Sequence, residues 1–121
     1  MRKSAQYLAD NFETYPLLLF AFAKGYTSGG SIFPSVWSAQ LAARAEGVGS
    51  SLTSVLAFRA ADVLEILGVP ADEGWHMACC VPFGYPTGRW GVAARTPAHE
   101  VAHRNRWGES VGFEIPDPLW P

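Results

Sequence analysis

Along the first 16 residues, apolar side chains fall at Ala5, Leu8, Ala9 and Phe12. Spacings of three and four put them on one side of a helix, so a short amphipathic helix is predicted from Ser4 to Phe12, closed before Pro16. From Leu17 to Ala23 every residue is apolar. The run is too short for a globular helix and predicts a strand covered on both faces. The Gly- and Ser-rich stretch Gly25 to Ser31 is a loop. A second helix follows, with Ser31 and Pro34 as its N-terminal signal. It runs through Val36, Trp37, Leu41, Ala42, Ala43 and Ala45 and stops at Gly47 and Gly49. Its many alanines make it thin, with apolar positions on more than one face, so it belongs at the centre of a fold or of a dimer. Polar and apolar residues then alternate over Ser50 to Phe58 and predict a strand; Ala60 to Gly68 predicts a short helix with Asp62 in its first turn. His76 to Val81 predicts another apolar strand, ended by Pro82, and the chain is rich in Gly and Pro from there to Pro97.

Length bounds this series of elements. At 121 residues and 49% hydrophobic content, one domain with one core is expected over 1–121, with a Pro-rich tail over 108–121. Only 17% of residues are charged while 13% are aromatic, more apolar surface than a small monomer readily hides, so a permanent partner surface is expected. The net charge of -2, with no cluster of Lys and Arg, removes the electrostatic basis of non-specific nucleic-acid binding. Arg2 and Lys3 precede Leu17 to Ala23 much as the basic start of a secretory signal would, but Asp10, Glu13, Pro16 and Lys24 interrupt that pattern. No apolar run approaches the ~20 residues of a membrane span. Cys79 and Cys80 are chain neighbours and ill placed for a loop-closing disulfide, so core thiols in a reducing, cytoplasmic setting are expected.

His99-Glu100-Val101-Ala102-His103 matches the H-E-x-x-H spacing that sets two imidazoles on one helical face to bind zinc, with the glutamate as general base. A zinc hydrolase acting through His99, Glu100 and His103 is therefore a remote alternative. Its surroundings differ from those of zinc peptidases, because Pro97 precedes and Asn105, Trp107 and Gly108 soon follow. The expected outcome is a polar helical turn with no metal. His76 is left unassigned. Neither Gly29-Gly30 nor Gly47 to Gly49 has the spacing of a P-loop or a G-x-G-x-x-G cradle. Arg89 and Arg95 flank a Gly/Ala segment before Pro97, from which a guanidinium is well placed to fork onto a phosphate.

Ser31 to Ser38, then Leu41 to Ser54, resemble the long central helix and following strand of FMN-dependent nitroreductases. Leu64 to Pro70 is similar to that family's short helix ending in Leu-Gly-Ile-Pro, Val81 to Pro86 to its strand leading into Gly-x-Pro, and Arg95-Thr96-Pro97 with Val101-Ala102-His103 and Trp107 to its closing segment. The resemblance implies an α+β fold: a nitroreductase-like α/β/α sandwich with a mainly antiparallel sheet. It also implies a homodimer binding FMN at its interface, NAD(P)H as hydride donor, and reduction of a nitroaromatic, quinone or similar small-molecule acceptor. Under it Arg95 matches a phosphate-contacting arginine, with Arg89 as a further candidate. Leu52, Thr53 and Ser54 match the strand whose backbone amides run near the reactive edge of the flavin. The family's N-terminal Arg-x-Ser-x-Arg signature has no counterpart before Ser31, so a partial fold with its N-terminal part missing is expected. The alternative is a truncated, non-catalytic dimerisation module that no longer holds FMN tightly.

Overall fold

The computed structural model describes residues 2–25, 30–88, 91 and 95–116. They divide into two units, Met1–Gly88 and Arg89–Pro121. The first holds helix α1 (Arg2–Asp10), strand β1 (Leu17–Lys24), helix α2 (Phe33–Ala45), strand β2 (Gly49–Ser50), helix α3 (Ala60–Ile66) and strand β3 (Trp75–Gly84). The second holds one short helix, α4 (Ala98–Val101). Mixed helices with an antiparallel three-stranded sheet make the fold α+β, as expected.

The sheet has the order β1-β3-β2, both pairings antiparallel. The last strand in sequence is therefore the central one. β3 is buried from Cys79 through Phe83, and Cys79, Cys80 and Val81 are inaccessible to solvent. Alternate side chains of a strand point to opposite faces, so burial of consecutive residues means that both faces are covered. On one face Cys79, Val81 and Phe83 join Ala21 and Val36, against which Leu19, Ile32, Phe33, Ala43 and Val48 pack. The register supports this cluster, because Ala21 lies opposite Cys79 and Leu19 opposite Val81.

Three sequence expectations change. β1 is an edge strand with only Ala21 buried and Leu17 61% exposed, so it is not covered on both faces. A strand with one neighbour shares less of the core, and the doubly covered run belongs to β3 instead. β3 also continues past Pro82 to Gly84. The Thr53 and Cys80 backbones exchange both hydrogen bonds, so the even-numbered residues of β3 near Cys80 direct their amides toward β2. The missing N–H of Pro82 falls there, where only Ser51 N–H donates to its carbonyl at 3.3 Å, and the β1 ladder is spared. Finally, Ser50 to Phe58 is not a continuous strand. After Gly49–Ser50 only the Thr53–Cys80 bridge persists, and Val55–Arg59 winds into a 3₁₀ turn. The Thr53 hydroxyl accepts the Val55 N–H at 3.2 Å and the Ser54 carbonyl accepts the Ala57 N–H at 2.9 Å, local bonds that replace the ladder.

α2 starts with Pro34 in its first turn, but Ser31 supplies no cap bond. It ends as expected at Gly47, whose φ of 77° only glycine adopts without strain. Val36 is its one buried residue, with Ala39, Gln40 and Ala43 half-buried on the same side. Gln40 donates to the Ser50 hydroxyl at 3.1 Å, tying the helix to β2. Among the described residues no helix is long and apolar enough to cross a membrane.

Candidate functional site

The segment Leu52-Thr53-Ser54 leaves the sheet at the end of β2. Thr53 donates its N–H to the Cys80 carbonyl at 2.8 Å and accepts the Cys80 N–H at 2.9 Å. Its own amide is thus committed to β3. Because backbone polar groups alternate sides along an extended strand, the amides of Leu52 and Ser54 point away from β3. Both residues are exposed. Of the three residues expected to line a flavin edge, these two therefore offer outward donors, while Thr53 anchors the segment.

Beside this edge lies an apolar recess of about 270 Å³, lined by Ala5, Leu8, Ala9 and Phe12 of the α1 region and by Thr53, Val55 and Leu56. Among the described residues Thr53 is its only polar lining residue, and it is itself buried. The apolar stripe of α1 is legible in the sequence, but what it faces is not. The partner wall exists only because the chain turns at Val55, where a strand was expected.

Arg95 belongs to the second unit, and Arg89 lies outside the described residues. Lys24 of the first unit is paired with Glu73 at 3.0 Å, sits over the Trp75 ring, and shares Glu73 with the Trp75 indole N–H. Arg59 is paired with Asp62. These two cations are spent on local contacts.

The H-E-x-x-H segment does not form a ligand pair. α4 has only four residues, and the chain is already extended at Ala102, so His103 lies beyond the helix. His99 accepts the Ile115 N–H on Nδ1 at 3.0 Å, whereas His103 packs on Trp107 with ring centroids 4.4 Å apart. Each imidazole is engaged in a different local contact. Among the described residues no three His, Cys, Asp or Glu side chains are grouped to hold a metal ion.

Cys79 and Cys80 are free thiols on opposite faces of β3. Burial pushes both pKa values up; Cys80 is raised to about 11 by desolvation and by repulsion from Cys79. Both stay protonated at neutral pH and are poor nucleophiles. Native protein at pH 8 is expected to leave both unreactive toward a thiol reagent, and denatured protein to expose both. Stability also gains a pH dependence of definite sign. The thiols of the unfolded chain ionise near 9.0 and those of the folded chain higher, so this contribution is intact below pH 9 and lost as pH rises toward 11. Alkaline melts that do not fall over that range would contradict the burial.

A family model, that of the Nitroreductase family, matches residues 3–85, more than half of the chain. The matched span contains the Leu52–Ser54 edge and both walls of the recess, and ends before Arg89 and Arg95. No curated protein matches the chain.

Proposed function

The chain belongs to the nitroreductase family, whose function is of the oxidoreductase type, and from that premise we propose that it is an FMN-dependent, NAD(P)H-consuming reductase of nitroaromatic, quinone or similar acceptors. The match over residues 3–85 carries this reading. Members of the family generally use flavin and are typically dimeric.

The donor set suits the ring end of the cofactor. Leu52 and Ser54 present amides away from β3 on a segment pinned by Thr53, and such preoriented donors stabilise negative charge without reorganising. When bound, FMN supplies the transfer of electrons from a nicotinamide to the acceptor. The chain's own part is to hold and orient. Leu52 and Ser54 of the first unit would hydrogen-bond the ring edge. Taken by itself, the second unit offers Arg95, with Arg89, as the candidates for a phosphate. The apolar recess beside Leu52 and Ser54 would shield one side of that ring edge from water.

A second reading, a non-catalytic dimerisation module, draws support from Lys24 and Arg59 of the first unit, which are paired with Glu73 and Asp62 in exposed ion pairs. One assay separates the two. In the presence of FMN, NADH or NADPH oxidation with a nitroarene or quinone should proceed at a rate proportional to protein concentration. A rate no greater than that of free FMN alone would leave the module reading in place. Dimerisation is assigned to the outer side of α2, at Trp37 and Leu41. The two buried free thiols support a cytoplasmic setting.

A further inference from the structure

The recess between α1 and the Thr53–Leu56 segment holds more information than its place beside the strand edge. Its volume of about 270 Å³ falls just below the usual range of small-ligand pockets, roughly 300 to 1,000 Å³. An engineered apolar cavity of about 150 Å³ in an unrelated protein stays dry and binds benzene. This recess is open to solvent at Ala5, Ala9 and Val55 and includes Thr53 among otherwise apolar lining residues, and its volume has room for two fused rings.

Its chemistry is as selective as its size. Among the described residues no charged side chain lines it. Two polar residues of α1 next to lining positions, Gln6 and Asp10, hydrogen-bond each other at 2.7 Å. The Thr53 hydroxyl already accepts the Val55 N–H and keeps one proton to donate. Ala5 and Ala9, one helical turn apart, make the room, since any larger side chain there would occupy it. A ligand carboxylate placed inside would lose water and find no cation among the described lining residues.

We propose that this recess is a binding site for an uncharged bicyclic aromatic molecule, oriented by one hydrogen bond from Thr53. Binding needs only the recess. The further role of that molecule as electron acceptor rests on the flavin reading above.

The test uses the full chain without added flavin and follows 2-naphthol and 2-naphthoate by calorimetry or ligand-observed NMR. 2-Naphthol should saturate with a dissociation constant of about 1 mM or tighter. The naphthoate should bind at least ~10-fold more weakly, because its charge is buried unpaired. Ala9→Phe should weaken 2-naphthol binding at least ~10-fold by filling the space. Ala5→Leu, a second filling variant at an exposed helical position, should act in the same direction, with circular dichroism showing that each variant is folded. No saturable 2-naphthol binding, equal affinity for the naphthoate, or wild-type affinity in both folded variants would overturn the proposal. Binding of 2-naphthol by protein that retains no FMN would leave this site standing and remove only its role as acceptor pocket.

Discussion

Val81→Asp is expected to yield no folded protein. Val81 is inaccessible to solvent at the centre of β3, opposite Leu19 and within the cluster shared with Ala21, Val36, Cys79 and Phe83. Among the described residues, no Lys or Arg belongs to that cluster. A carboxylate there would be buried without a partner, or would take up a proton and remain an unsatisfied polar group. Either outcome costs several kcal/mol, a large part of the roughly 5 to 15 kcal/mol that holds a domain together. Val81→Ala, which removes two methyl groups and leaves a small void, should cost about 2 kcal/mol and remain folded. Urea titrations followed by circular dichroism would measure both. A cooperative unfolding transition for Val81→Asp close to the wild-type midpoint would mean that β3 is not the centre of the core.

Trp37→Glu is expected to convert a dimer into a monomer without unfolding it. α2 packs on the sheet through Val36, Ala39, Gln40 and Ala43, which leaves Trp37 62% exposed and Leu41 50% exposed one turn apart on another side. An indole so exposed contributes little to the isolated fold, and substitutions of this kind shift stability by about 0.5 kcal/mol. At the centre of an interface the same ring is worth about 2 kcal/mol or more, a loss of roughly 30-fold in dimer affinity, and a buried glutamate adds to it. Sedimentation velocity over a concentration series should show a dimer for the wild type and a monomer for the variant at unchanged melting temperature. A variant that dimerises like the wild type would remove α2 from the interface.

Local patterns in the chain were enough to place the helices. The apolar spacing of α1, Pro34 and Gly47 around α2, and the glycine stop after α3 are short-range signals that tertiary context did not override. Strands were less legible, because burial of a strand depends on its neighbours. Leu17 to Ala23 and Cys79 to Phe83 are both apolar runs, yet only the second is central, and nothing in either run states the order of the sheet. Pro82 predicts the end of its strand because proline breaks ladders, yet its amide position faces the frayed side, where the missing N–H costs no ladder bond. Ser50 to Phe58 alternated as a strand would, but the Thr53 hydroxyl and Ser54 carbonyl captured nearby amides and turned the chain. That turn creates one wall of the recess, so the recess could not be read from either stretch alone. The H-E-x-x-H spacing failed for a related reason: four residues between Pro97 and Ala102 are too few to hold two imidazoles in helical register.

The most direct test of the central claim is retention of the cofactor. Protein incubated with excess FMN and passed through a gel-filtration column should carry visible flavin absorbance in the protein peak. Flavin eluting wholly at the small-molecule volume, with none in the protein peak, would contradict the assignment of this chain as an FMN-dependent reductase.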